Sequence, residues 1–267
     1  MMKNITLGQY MPGDSAVHRL DPRCKLGLTL AYIIGVFLVK GVAGYLITAA
    51  LVVLVARLAR IPIKYLARGL KPLKWIVIFT AVLNLFMTGG EDVLVRVWKI
   101  TITMTGLRNA FFFTFRLAFL VLGTSVLTLT TSPIVLTDAL ERIMSPLKVV
   151  RFPAHEIAMM MTIALRFIPT LTEEAQKILN AQSARGADFE SGSIFRRAKA
   201  MVPLLVPLFV SAFRRAGDLA MAMEARCYHG GEGRTRLRVL KYSRYDLYAV
   251  AVMAAYIVLV VLEGVLL

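Results

Sequence analysis

The chain has 267 residues, 58% of them hydrophobic, and a formal net charge of +16. An ordinary soluble domain of this length carries less apolar content and more charge, and here the excess comes in blocks, which points to a polytopic membrane protein. The cations flank those blocks, as positive loops held on the cytoplasmic side of a membrane do, rather than forming a nucleic-acid-binding face.

The opening "MMKNITLGQYMPGDS" is too polar for a secretory signal peptide, and the first apolar run starts only near Leu26, so no cleaved leader is expected. Residues 26–56 are too long for one span and are broken at Lys40-Gly41. They read as a helical hairpin, about 26–39 and 43–57, each a little short of the ~20 residues a span needs. Asp21 is a natural N-cap for the first helix, and Pro22 suits its first position. The stretch 57–74 carries Arg57, Arg60, Lys64, Arg68, Lys71 and Lys74 and no acid, so it is expected in the cytoplasm. A third span follows at about 73–88. Residues 89–106 alternate and are rich in Val, Ile and Thr, the pattern of a short external hairpin. A fourth span covers Leu107–Thr130 and contains Arg116, which is costly there unless paired or near the interface.

From Thr131 to Tyr245 no long stretch lacks charge or proline. "TSPIVLTDALERIMSPL" opens with Ser132 as N-cap and Pro133 at the first helical position. It then places Ile134, Leu140, Ile143 and Leu147 on one face and Asp138, Glu141 and Arg142 on the other, an amphipathic helix. Residues 155–186 have an apolar first half of ~14 residues, too short to cross a membrane. The second half is polar, with Glu173 and Lys177 spaced for an i,i+4 pair. Residues 196–227 repeat that design, with the apolar part interrupted by Pro203 and Pro207. A fifth span follows at 246–267. The expected fold class is all-α: a polytopic membrane protein with about five transmembrane helices and a cytoplasmic bundle of amphipathic helices. Its regions are 1–130 (N-terminal segment and spans 1–4), 131–245 (cytoplasmic helices) and 246–267 (last span). Positive loops place the N-terminus inside, and an odd number of spans places the C-terminus outside.

The two long amphipathic helices end on the same short word, "AQSARG" at 181–186 and "AMEARC" at 222–227. Arg185 precedes Gly186, an ideal left-handed C-cap residue, whereas Arg226 precedes Cys227, a poorer one. A basic last turn is common helix punctuation, because it complements the helix dipole. Two copies, each ending a long half-apolar helix, suit a second reading. An arginine on a helix tip offers five donors to a partner, and two tips suit two similar partner subunits.

With these words in view, the chain resembles the transmembrane T component of energy-coupling factor (ECF) vitamin and micronutrient importers. The resemblance runs through "YMPGDSAVHRLDPRCKL", "TSPIVLTDALERIMSPLK", "EIAMMMTIALRFIPTLTEEAQKILNAQSARG" and "MVPLLVPLFVSAFRRAGDLAMAMEARCYHGGEGRTR". It implies crossing coupling helices whose terminal motifs engage two ABC-type ATPase subunits. It further implies transmission of ATP-driven movement to a membrane-embedded substrate-binding S component. Carried over, the ATPase-binding residues are Ala184, Arg185 and Gly186, and Ala225, Arg226 and Cys227, the last departing from the usual glycine. The resemblance implies a multi-pass protein of the cell membrane, in contact with the lipid bilayer.

The chain lacks a Walker A loop, and "GGEGRTR" reads as a plain loop. His18, His155 and His229 are isolated from one another in sequence, and neither an acid–base constellation nor metal-ligand spacing appears. No catalytic residues, metal or cofactor are expected, nor nucleic acid as a partner. Met159, Met160 and Met161 suit either helix packing or an adaptable surface for an exchanged partner. Asp14, His18, Arg19 and Asp21 read as the groups that fix the N-terminal turn. Two alternatives stay open: a dedicated cobalt or nickel T subunit, and a polytopic membrane enzyme acting at the cytoplasmic interface.

Overall fold

A computed structural model of the chain describes residues 10–87, 93–97, 100–150, 152–187, 189, 193–231 and 240–266. The elements are α1 (Pro22–Leu38), α2 (Val42–Leu58), α3 (Ile63–Arg68), α4 (Lys74–Met87), β1 (Val93–Val97), β2 (Ile100–Thr103), α5 (Met104–Thr130), α6 (Pro133–Met144), a 3-10 helix (Ser145–Val150), α7 (Ala154–Ala184), α8 (Ile194–Glu224) and α9 (Arg244–Leu266). The chain is an all-α membrane protein, with one antiparallel strand pair, β1 with β2, among the described residues. That pair falls where the Val/Ile/Thr alternation places a hairpin. By length and composition, three described helices could cross a membrane: Met104–Thr130, Arg197–Glu224 and Arg244–Leu266; Val42–Leu58 and Lys74–Met87 are shorter apolar helices.

Two compact units result, one of 8–136 with 239–267 and the other chiefly of 137–238. In the first, α5 packs against α1, α2, α3 and α4, and α9 packs against α1 and α2. Its core holds Tyr32, Val36, Val39, Tyr45, Leu51, Val52, Tyr256 and Val260, with a second cluster around Val17, Ala56, Leu66 and Leu129. The outward faces are apolar as well: Leu30 is 61% exposed, Leu46 67% and Phe79 64%. Side chains of that kind are stable in lipid and unfavourable in water.

Several buried polar groups of this unit are satisfied internally, as a lipid environment favours. Asp21 is the N-cap of α1, accepting from the Arg23 N–H, with Pro22 at the first helical position. The Asp246 carboxylate at the start of α9 accepts from the Asp21 N–H at 2.8 Å and the Ser243 N–H at 2.6 Å. Lys25, buried in the first turn of α1, donates to the carbonyls of His18 and Thr130 and to Thr131 Oγ1. Arg116 donates to the Val39 carbonyl at the C-terminus of α1 and lies beside the rings of Phe37 and Phe113. Its charge therefore sits level with the α1–α2 turn, where an arginine in an apolar helix is tolerated.

The N-terminal residues act as turn-fixing groups. His18 Nε2 donates to the Met11 carbonyl at 3.0 Å, and Nδ1 lies 2.7 Å from Ser15 Oγ, so the ring joins both ends of the segment. The Met11 N–H donates to the Leu129 carbonyl. Arg19 makes a bidentate pair with Asp14 at the surface.

Close approach in this unit uses glycine. A Cβ on Gly123 of α5 would collide with the Tyr32 ring, which is tethered by its hydroxyl donating to the Phe119 carbonyl. Gly123→Ala is therefore expected to lower stability by about 1–3 kcal/mol, the usual cost of overpacking. Gly27→Ala, where a Cβ meets nothing within 4 Å, serves as the control and is expected to be neutral or stabilising. Thermal melting of the solubilised protein checks both; equal melting temperatures for the two variants would contradict the packing described.

Candidate functional site

In the 137–238 unit α7 and α8 lie side by side. Ile163, Phe167 and Leu171 of α7 repeat every four residues and face Ala212, Ala216 and Met223 of α8. Apolar side chains at that spacing share one helical face, and here they line a cleft of about 290 Å³ between the two helices. The contacts set the direction: Glu174 of α7 accepts from Arg215 of α8 at 3.0 Å, while His155 at the start of α7 meets Tyr228 beyond the end of α8. Partners descend α8 as they ascend α7, so the helices are antiparallel. Their arginine-bearing C-terminal ends lie at opposite ends of the pair. α7 has 31 residues, about 46 Å of straight helix.

The pairing differs from the sequence expectation in three details. No Glu173–Lys177 ion pair forms among the described residues; the neighbouring Glu174 is the paired acid, because it lies on the face toward α8. Its carboxyl is held below the usual range by hydrogen bonding to Ser211 and by the Arg215 guanidinium. Pro203 and Pro207 do not interrupt α8, which runs unbroken through both. In α6 the helix proper stops at Met144, so Leu147 belongs to the 3-10 helix, and Glu141 does not face solvent. Its carboxylate accepts from His155 Nδ1 at 3.0 Å, and His155 Nε2 faces the Tyr228 hydroxyl at 3.3 Å. Glu141, His155 and Tyr228 thus link α6, the start of α7 and the residues just after the second arginine word. Separations of 14 and 73 residues leave no local sequence signal for this chain of contacts.

Both words fold into the same cap. At the end of α7 the Gly186 N–H donates to Ser183 and the Ala187 N–H to Gln182, with Gly186 at φ +89°. At the end of α8 the Cys227 N–H donates to Glu224 and the Tyr228 N–H to Met223, with Cys227 at φ +56°. Each is the paired hydrogen-bond pattern of a Schellman motif, in which a left-handed residue turns the chain so that orphan carbonyls find donors. Cys227 therefore does the conformational work of the glycine at 186. In each case the arginine is the last residue before the turn. Ala184, Arg185, Gly186, Ala225, Arg226 and Cys227 are all exposed. Neither guanidinium makes an ion pair or side-chain hydrogen bond among the described residues. The six residues named from the sequence form two separate tips rather than one cluster.

The apolar faces beside the tips are open. Val202, Val206, Phe209 and Phe213 of α8 and Met160 and Met161 of α7 are exposed, with Phe213 at 74%. Among the described residues no group of three or more His, Cys, Asp or Glu is placed to hold a metal ion. The "GGEGRTR" segment lies outside the described residues beyond Gly231.

Residues 13–237 match the family model CbiQ, described as cobalt transport protein. The chain is similar to curated proteins named energy-coupling factor transporter transmembrane protein EcfT. It is 52% identical to that of Clostridium kluyveri over 250 residues, 93% of each chain. It is 54% identical to that of Heliobacterium modesticaldum over 252 residues, 94% of each. The identity to that of Bacillus subtilis is 48% over 246 residues, 92% of this chain and 93% of the relative.

The cap geometry generates a paired test. A side chain with a Cβ in the left-handed region costs about 1 kcal/mol against glycine, partly offset by glycine's larger unfolded-state entropy. Cys227→Gly is expected to be neutral or to stabilise by up to about 1 kcal/mol. Gly186→Ala, where a Cβ meets nothing within 4 Å, is expected to destabilise by about 1 kcal/mol through the backbone alone. Melting temperatures of the two variants check this, and a clear loss on Cys227→Gly would show that the thiol itself packs.

Proposed function

We propose a coupling role for this chain, which belongs to the family of energy-coupling factor transporter transmembrane proteins. It is the membrane-embedded subunit of a transporter. In this reading its two arginine tips each dock one ABC-type ATPase. The exposed apolar faces of α7 and α8 receive a membrane-embedded S component that binds the vitamin or micronutrient. ATP-driven movement of the ATPases passes along the antiparallel pair to that component. The chain itself supplies no catalytic group; the assembled complex is the ATP-driven translocase.

The observation that carries this reading is the identity of the two caps. Different residues, Gly186 and Cys227, reach the same left-handed conformation and leave an exposed arginine just before the turn. Similar tips at opposite ends of one helix pair suit two similar partners. Helix punctuation alone gives no reason for a cysteine to bear the strain. A dedicated cobalt-type subunit is the second reading, favoured by the description of the matched family model. The small membrane partner that co-purifies separates the two.

Each arginine inserts into a groove on one ATPase, where it is partly desolvated; removing one partner of such a contact costs about 2–5 kcal/mol. Arg185→Ala or Arg226→Ala alone is expected to weaken coupling while leaving some complex, because the apolar faces beside each tip contribute to docking. The double substitution is expected to abolish most ATP-dependent uptake while membrane insertion and S-component binding persist. The measurement is ATPase pull-down together with uptake of labelled substrate into proteoliposomes. Normal uptake with both arginines replaced would return the two words to helix punctuation.

The proposed topology has five spans in the cell membrane with the N-terminus cytoplasmic, and places the arginine tips on the side where the ATPases are. Single cysteines introduced near either end, probed on whole cells with an impermeant thiol reagent, are expected to label only near Leu267. Labelling at both ends contradicts this topology.

A further inference from the structure

Within the unit of 137–238 the two arginine tips share a cap but differ in what holds it. In each cap the outer hydrogen bond is closed by the N–H two residues past the arginine, Ala187 to Gln182 and Tyr228 to Met223. At the first tip that closing residue is an alanine, whose side chain has nothing to donate or accept. A Cβ on the neighbouring Gly186 would meet nothing within 4 Å. Among the described residues no side chain of 183–187 makes a hydrogen bond or ion pair. At the second tip the closing residue is a tyrosine, and its hydroxyl lies 3.3 Å from Nε2 of His155 on α7. The chain meets the same ring again at Gly231. Gly230 takes the left-handed conformation, φ +101°, and Gly231 comes so close that a Cβ there would fall 2.5 Å from His155 Cδ2. The chain just after Arg226 is thus wrapped on one imidazole.

That imidazole is itself anchored. Nδ1 donates to Glu141 of α6 at 3.0 Å, and both side chains are largely covered. A carboxylate on Nδ1 fixes the tilt of the ring and its tautomer, which leaves Nε2 to accept the Tyr228 proton. We propose that His155 is a positioning residue for the second tip. Through Tyr228 it holds the cap that presents Arg226, and the cap that presents Arg185 has no such brace. Helix ends open easily where nothing beyond the last turn holds them. At Cys227 the backbone also bears the strain of a left-handed L residue. The brace therefore sits on the strained cap, and the unstrained glycine cap goes without. The second tip is preformed for its partner, whereas the first is ordered as it docks, which weakens its share of the binding. This consequence for docking rests on the ATPase-docking reading; the brace itself does not.

The test uses the full chain in lipid nanodiscs with Cys24 and Cys227 replaced by serine. A nitroxide is carried by Ala184→Cys or Ala225→Cys, matched exposed positions one residue before each arginine. With His155→Ala, the nanosecond correlation time of the label at 225 is expected to shorten by about half, with no change at 184. His155→Gln, whose amide stands where Nε2 stood and can meet Tyr228, is expected to restore the slow motion. His155→Asn, whose amide stands where Nδ1 stood, is expected not to. Should His155→Ala melt early, Tyr228→Phe replaces it and is expected to act in the same way. In ATPase binding, His155→Ala is expected to weaken affinity about fivefold, the worth of one ordinary hydrogen bond. It is expected to do so again on top of Arg185→Ala, and to add nothing on top of Arg226→Ala. An unchanged label at 225, equal loosening at both tips, or rescue by His155→Asn as good as by His155→Gln overturns the proposal. So does an affinity that falls with Arg226→Ala and not with His155→Ala. If Arg226→Ala itself changes no affinity, the docking reading is what fails, and the label alone decides for or against the brace.

Discussion

A long helix can present a charged side chain at its tip only if something turns the chain away directly afterwards. In α7 and α8 that constraint is a single residue in the left-handed region. Gly186 meets it without strain, and Cys227 meets it against the preference of an L side chain. In both, the two reverse hydrogen bonds of the cap satisfy carbonyls that would otherwise be orphaned at the helix end. The arginine is thereby fixed at the rim, exposed, with no ion pair or side-chain hydrogen bond of its own among the described residues. The helices between the tips are tied together by an apolar seam and by Arg215–Glu174. In the proposed coupling role, displacement of one tip would be carried along the pair rather than absorbed at the end.

The membrane unit obeys a different constraint, the pairing of polar groups at helix ends without water. Asp246 joins the start of α9 to the start of α1 through the Asp21 N–H. The Asp21 carboxyl is buried, which pushes its pKa up, yet hydrogen bonds from the Arg23 side chain and backbone outweigh this and leave it lowered. Lys25 closes the ends of α1 and α5 together. At the other end of α1, Arg116 caps the Val39 carbonyl, and Glu263 of α9 accepts from the Gly44 N–H at the start of α2. These contacts cluster at the ends of the apolar helices, and the apolar surface between them is left to lipid.

The helices were legible because their signals are local. The break at Lys40-Gly41, the Asp21-Pro22 start and the strand alternation before α5 each appear within a few residues of where the structure places them. The arginine words were legible for the same reason, since a C-cap is a local event. Less legible was anything decided by which face a helix buries. Glu141 was placed only on the polar face of its helix and is paired with His155, and Glu173 was the expected partner of Lys177 where Glu174 instead meets Arg215. A shift of one residue turns a helix by about 100°, and periodicity in a helix apolar on more than one side does not fix that angle. The continuity of α8 through Pro203 and Pro207 was hidden too, because the cost of a missing N–H depends on what packs around it.

The central claim is that the helix tips are covered by the ATPases, and the chain carries its own reporter for it. Cys227 is exposed and next to Arg226. Cys24, the other cysteine, lies ahead of the apolar run. Burial, with the nearby charges of Asp246 and Asp21, pushes its thiol up to about 11, so it reacts slowly. The decisive measurement is the rate of alkylation of Cys227 in membranes, with and without the ATPase subunits. The account predicts at least tenfold protection when they are bound, reversed when they are stripped away. An unchanged rate in the assembled complex would contradict it.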